Sequence, residues 1–98
     1  TDLSNSFGFL PNNFVLHQNY PNPFNPTTSI QFSVPNLSPV SIPIFNVRGE
    51  FVEYLVNDIY EAGNYTIHLN AGDYSSGIYF YRLQTDNSVM TRKFIIIK

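Results

Sequence analysis

The chain contains no cysteine and no tryptophan among its 98 residues. Without thiols there can be neither a disulfide framework nor a thiolate metal site, and cysteine usage says nothing about redox compartment. Charge is scarce too: only 12% of residues are charged, about half the usual globular share, and the formal net charge is -2 at pH 7. That balance excludes the basic stripe with which a protein holds nucleic acid. No apolar run approaches the ~18 residues of a membrane-spanning helix, and no basic-then-apolar signal peptide opens the sequence. Thr1 rather than Met begins it, so the chain is expected to be part of something longer, with the remainder upstream.

What is present is aromatic and amide-rich. Tyr and Phe supply every aromatic residue, 16% of the chain, and Asn, Ser, Thr and Tyr provide the solubility that charges do not. A chain of this length forms one domain with a thin core, burying somewhat over ~60% of its unfolded surface. The few charges are unevenly spread. Arg82, Arg92, Lys93 and Lys98 fall near the end, whereas Glu50, Glu53, Asp58, Glu61 and Asp73 lie in the middle. Two readings are equally open: solubilising charges on strand surfaces, or a positively charged recognition end.

Asn19-Tyr20-Pro21-Asn22-Pro23-Phe24-Asn25-Pro26 is the densest signal. Each proline removes a backbone donor and fixes φ, and Tyr20, Asn22 and Asn25 precede prolines, where helical conformations are disfavoured. The segment is neither helix nor central strand. It is expected to be a stiff, extended or turning loop, with Tyr20 and Phe24 as aromatic anchors onto an apolar surface.

Elsewhere the pattern is that of strands. Thr1 to Phe9 has no period and reads as a linker entering the domain, which spans residues 10–98. Phe14 to Gln18 is expected as a short edge strand. Thr27 to Val34 alternates, with Ile30, Phe32 and Val34 on one face, and Val40, Ile42 and Ile44 repeat the pattern with Ser41 and Pro43 facing out. Because Pro43 cannot donate to a ladder, that strand is expected to be an edge, or bulged at this point. Asn46 to Gly49 reads as a hairpin turn into Glu50 to Val56, where Val52 and Leu55 differ in parity and imply a bulge. Asn57 to Ala62 is expected to cross over to a strand at Asn64 to Asn70. After the Ala71 to Gly77 loop, Ile78 to Leu83 is apolar on both faces, as a central strand is, and Val89 to Ile97 forms the last strand. About seven short strands with frequent turns and no helical period predict an all-β, antiparallel, immunoglobulin-like β-sandwich.

Catalytic chemistry has little to build on. His17 and His68 fall on separate strands with no carboxylate nearby in sequence, and Ser75-Ser76-Gly77 lacks the Gly-x-Ser-x-Gly context of a nucleophile elbow. Asp73 has no second acid beside it for calcium, and capping its own turn is the expected role. Tyr60 and Tyr74 could form an aromatic platform for sugar, but packing over sheet edges is the stronger reading. No enzyme activity, cofactor or metal is expected.

The proline segment, within Leu16-x-Gln18-Asn19-Tyr20-Pro21-Asn22-Pro23-Phe24-Asn25-Pro26-x-Thr28-x-Ile30-x-Phe32, resembles the opening of the type A C-terminal sorting domain of the type IX secretion system, found on secreted proteins of Bacteroidetes. The likeness continues through Val40-x-Ile42-x-Ile44-Phe45-Asn46-x-x-Gly49, Ala62-Gly63, Ser76-Gly77-Ile78-Tyr79-Phe80-Tyr81-Arg82-Leu83 and Thr91-Arg92-Lys93-Phe94-Ile95-Ile96-Ile97-Lys98. Pro43, Tyr65 and Phe94 depart from the family's usual residues. The middle blocks also look like the immunoglobulin-like domain of flagellar hook-capping proteins, which bears on the fold alone.

The resemblance implies a non-catalytic address label that carries an upstream passenger through the periplasm and outer membrane to the cell surface or medium. Outer-membrane translocation and sortase-like components would be its partners. Gly77, Tyr79, Arg92, Lys93 and Lys98 are the candidate recognition residues, and residues 19–26 the motif loop. Arg92 and Lys93 are expected to be exposed charges whose loss costs little stability. A carbohydrate-binding or structural accessory module appended to a secreted enzyme is the alternative.

Overall fold

The computed structural model describes residues 10–98, so the linker expected over residues 1–9 lies outside the described residues. Seven strands follow in chain order: β1 (Val15–Leu16), β2 (Thr27–Val34), β3 (Ser38–Asn46), β4 (Phe51–Tyr60), β5 (Gly63–Asn70), β6 (Gly77–Gln84) and β7 (Val89–Ile96). They form two antiparallel sheets, one in the order β1-β2-β5 and one in the order β4-β3-β6-β7. The expected sandwich of seven strands is therefore present. Its fourth strand pairs with β3 in the larger sheet, unlike a constant-type immunoglobulin domain, where the fourth strand lies in one sheet with the first, second and fifth and the third lies in the other.

The core follows from alternation. On β2, Thr28, Ile30, Phe32 and Val34 point inward and are buried; on β3, Val40, Ile42 and Ile44 meet them from the other sheet, with Tyr81, Leu83, Phe94 and Ile96 from β6 and β7. Each such apolar side chain removed from water contributes about 1.5–3 kcal/mol, set against the entropy of ordering the chain. β5 contributes less: Leu69 is buried, and Tyr65 and Ile67 only half-buried.

Three expectations are refined. Of the two alternatives for β3 the bulge at Pro43 holds and the edge does not, because the strand lies between β4 and β6. Pro43 is accommodated by irregularity: the β3–β4 register shifts between Ile42 and Pro43 and again between Ile44 and Phe45, and the β3–β6 pairing skips Ile42 and Pro43. The missing N–H thus falls where the ladder is already interrupted, and Pro43 is buried rather than facing solvent. Second, the crossover expected over 57–62 is strand as far as Tyr60. Asn57 and Asp58 are polar because β4 overhangs the smaller sheet, with Val56 its one buried residue. Third, the edge strand expected over Phe14 to Gln18 shrinks to Val15–Leu16, with the His17 N–H still bonded to the Gln31 carbonyl at 2.9 Å.

The turns follow their residues. Asn46 Oδ1 accepts from the N–H groups of Arg48 (2.9 Å) and Glu50 (3.0 Å), and Gly49 takes φ +82°, so the β3–β4 hairpin closes as expected. After β5, Asn70 rather than Asp73 caps the turn: its Oδ1 accepts from the Gly72 N–H at 2.9 Å, and Asp73 is exposed.

Candidate recognition site

The proline segment folds along the outer edge of β7. The Phe24 N–H donates to the Ile95 carbonyl at 3.1 Å, and the Ile97 N–H donates to the Phe24 carbonyl at 3.0 Å, a parallel bridge centred on Ile96. Asn22 Oδ1 accepts from the Ile95 N–H at 2.9 Å, and Gln18 Nε2 donates to the Lys93 carbonyl at 2.6 Å. The residues served are 93, 95 and 97, whose backbone groups face away from β6 in an antiparallel ladder. An open strand edge is a template for pairing with another chain. Here the edge is filled by a segment whose own prolines present no donors outward, so the sheet stops there.

The loop is fixed from below by Asn19, which is buried. Its N–H donates to the Tyr81 hydroxyl at 2.8 Å, its Nδ2 reaches the Pro21 carbonyl and Thr28 Oγ1, each at 3.1 Å, and its Oδ1 accepts from Gln18. Thr28 Oγ1 donates to the Pro21 carbonyl at 2.8 Å. Tyr20 and Ser29 exchange backbone bonds, and the Pro26 carbonyl accepts from Ala71 N–H at 2.8 Å. The three Xaa–Pro bonds are cis. Of the two expected anchors only Phe24 is one: it is 3% exposed, with its ring 5.3 Å from that of Phe94. Tyr20 is 82% exposed; its backbone bridge to Ser29 holds the chain while its ring faces solvent.

The candidate recognition residues divide. Gly77 opens β6 at φ +144° opposite Ile96, with open space where a Cβ would stand. Tyr79 is half-buried, stacked on Phe94 at 5.5 Å with its hydroxyl donating to the Ser75 carbonyl at 2.9 Å. Lys98 Nζ reaches the Gly72 carbonyl at 2.7 Å. These three sit at one end of the sandwich, with the turn after β5. Arg92 and Lys93 lie further along β7, opposite Tyr81 and Phe80, and point to opposite faces. Lys93 is exposed on the outer face of the larger sheet. Arg92 Nε donates to the Leu16 carbonyl at 3.0 Å, tying β7 to β1.

That bond sets the two charges apart, since Arg92 holds backbone while Lys93 stands exposed on the outer face. A charge-assisted hydrogen bond to backbone contributes about 1.5–3 kcal/mol when well shielded, and less at a partly exposed site such as this. Arg92→Ala is expected to destabilise the domain by about 1 kcal/mol, while Lys93→Ala is expected to change it by under about 0.5 kcal/mol. Urea midpoints of the two single variants check this, and equal midpoints would show that the Arg92 bond contributes nothing.

Other sequence candidates find structural roles. His68 Nδ1 lies 3.0 Å from Ser29 Oγ on an exposed face, and His17 accepts the Tyr81 hydroxyl through its carbonyl at 2.7 Å. Among the described residues no group of three or more His, Asp or Glu side chains gathers to hold a metal. Tyr60 packs edge-on to Phe32 and Tyr65, while Tyr74 packs on Tyr79 and donates its hydroxyl to Glu53. The two rings thus lie against opposite ends of β4 and form no common platform. Burial chiefly, then the bond to Glu53, raises the Tyr74 pKa well above the ordinary tyrosine value.

Sequence reasoning missed Gln18, Asn22 and Tyr81 as the groups that join the loop to the strands, and Arg92 as the tie between β7 and β1. The signal for Tyr81 was its parity with Leu83; for the others there was none, since their partners lie far off in the chain.

Fold and site together define a small antiparallel β-sandwich whose last strand is sheathed by a proline loop. Residues 18–98 match the family described as the secretion system C-terminal sorting domain, and the chain belongs to that family. Its function is that of a C-terminal sorting signal for type IX secretion, whose bearers are exported to the cell surface or secreted. Family members are tails of secreted proteins, which implies a passenger upstream. No curated protein and no solved structure matches the chain. No helix is long and apolar enough to cross a membrane among the described residues.

Proposed function

We propose that this domain acts by recognition alone, catalysing nothing, and that outer-membrane translocation and sortase-like components read it at the end of β7. Residues 10–98 form the sorting domain in this reading, and residues 1–9 the linker at which the passenger is released. The observation that carries it is the sheathed edge. With the backbone of Lys93, Ile95 and Ile97 already bonded to Gln18, Asn22 and Phe24, a partner at this end meets side chains rather than an open strand. Lys93, Lys98 and the exposed Ile97 are the groups it meets, beside the open space at Gly77. Arg92 and Tyr79 then serve as positioning residues, holding β7 against β1 and Phe94 against the loop.

A secreted reporter fused ahead of this chain, in a host with a type IX system, tests the reading. The double variant Lys93→Ala with Lys98→Ala removes exposed charges worth roughly 0–1 kcal/mol, so it is expected to melt close to the parent. Export of the reporter is expected to fall several-fold. Parental melting with parental export would overturn the assignment and move recognition to the proline loop.

A further inference from the structure

The larger sheet has a second edge, on β4, and among the described residues nothing covers it. Among the described residues the backbone of β4 is bonded to β3 alone, apart from the Ile59 N–H, which turns to its own neighbour Asp58 Oδ1 at 2.8 Å. Ten residues is long for an exposed edge, and natural proteins usually blunt such edges with lysine, proline, bulges, inward-pointing charges or a covering loop; β4 has register irregularities and two inner acids, which deter an acidic strand but not a basic one. β4 has no lysine, arginine or proline.

Its two faces differ in chemistry. The register sets Phe51, Tyr54 and Ile59 opposite Phe45, Pro43 and Pro39, on the outer face of the sheet, and these three are 54%, 50% and 65% exposed. Glu53 and Asp58 lie opposite the buried Ile44 and Val40, on the inner side, where β4 overhangs the smaller sheet. After burial, Asp58 is the next cause of the raised Tyr60 pKa, in keeping with a carboxylate on that side. Glu53 accepts the Tyr74 hydroxyl but keeps further lone pairs free.

We propose that the open edge of β4 is a docking strand for an extended segment of a partner polypeptide that alternates apolar with basic residues. Strand addition supplies the backbone bonds, and alternate side chains supply the selection. The partner's apolar residues continue the Phe51, Tyr54 and Ile59 face, and its cations meet Glu53 and Asp58.

Charge rules against a second copy as the occupant. In the antiparallel register that pairs all of β4 with its twin, Phe51 faces Tyr60, so Glu53 falls opposite Asp58 and Asp58 opposite Glu53. Like charges directly across a ladder are destabilising. The one basic strand of another copy, β7, has its edge filled by the proline loop. β5, the long edge strand of the smaller sheet, alternates polar Asn64, Thr66, His68 and Asn70 on its exposed positions and offers no apolar face comparable to that of β4. The inference concerns a different edge from the one read in sorting, and does not depend on that reading.

The test uses the isotopically labelled chain and two synthetic peptides of about ten residues, one alternating valine or threonine with lysine, the other with glutamate. The lysine peptide is expected to shift and protect the amides of residues 51–60, with about a tenfold preference over the glutamate peptide, since cross-strand pairs change from opposite to like charge. Glu53→Lys with Asp58→Lys is expected to reverse that preference. Should that variant fail to fold, the two peptides on the parent chain decide alone. Equal binding of both peptides, binding of neither, shifts centred on β5 or β7, or dimerisation of the parent through β4 would each overturn the proposal.

Discussion

Replacing Phe24 with alanine is expected to destabilise the domain by about 3–4 kcal/mol, as truncating a fully buried phenylalanine does. The ring is 3% exposed and 5.3 Å from Phe94, which is itself stacked on Tyr79 and in contact with Tyr81. Its removal leaves a cavity among rings that are held on several sides and cannot collapse into it. The backbone of the same residue carries the bridge to Ile95 and Ile97, so a loosened side chain also loosens the cover over the β7 edge. A loss of this size is a large fraction of the ~5–15 kcal/mol typical of a whole domain. Urea midpoints measure it, and faster amide exchange at Ile97 should accompany it. Tyr20→Ala in the same loop is the control. With its ring 82% exposed, that change is expected to cost under about 0.5 kcal/mol. Equal midpoints for the two variants would mean that the loop is displayed rather than docked.

The contrast between these two aromatics shows what a sequence pattern can carry. Both precede or follow prolines, and local reasoning gave them the same role; only the meeting of residue 24 with strand β7, more than seventy residues on, separates them. By the same logic, the strands themselves were legible. Ile30, Phe32 and Val34 alternate because one face of β2 is buried and the other is not, and burial is what the period reports. Where burial is absent the period fails. β4 overhangs the smaller sheet, so its Asn57 and Asp58 read as a crossover although the backbone remains extended through Tyr60.

Pro43 left two readings open, an edge strand or a bulge, and the irregularity at Ile42/Pro43 decides for the second. The rule that proline belongs at an edge assumes a regular ladder, and β3 escapes it by placing irregularities on either side, which local sequence hints at only through the parity clash of Val52 and Leu55 on the partner strand. The site was legible in part. The proline run announced a stiff loop, and the family likeness announced its importance. That the loop fills a strand edge, and that Arg92 is a tie to Leu16 rather than a free charge, depends on partners distant in sequence.

Alkaline pH is expected to unfold the domain through Tyr81. This side chain is fully buried between the sheets; its hydroxyl donates to the His17 carbonyl at 2.7 Å and accepts from the Asn19 N–H at 2.8 Å. Burial pushes its pKa up to about 12 from an ordinary 10, against the smaller opposing effects of the Asn19 N–H and the Arg92 charge. Because the folded value lies above the unfolded one, the neutral hydroxyl is the stabilising form. Its contribution is complete below about pH 10 and is lost as pH rises through about 12, when an anion would face the His17 carbonyl. At ~1.36 kcal/mol per pH unit the loss amounts to roughly 2–3 kcal/mol. Tyr74, whose pKa is raised as well, acts in the same direction, so single variants must separate the two. Tyr81→Phe is expected to cost about 1–3 kcal/mol at neutral pH, since it leaves the Asn19 N–H and the His17 carbonyl without partners. It should also lose less stability than the parent as pH rises, whereas Tyr74→Phe should keep the Tyr81 portion of the decline. Urea midpoints taken from about pH 9 to about pH 12 follow this window. If Tyr81→Phe declines in parallel with the parent, the buried hydroxyl is not the group that titrates, and the link between β6 and the base of the proline loop contributes far less than its geometry implies.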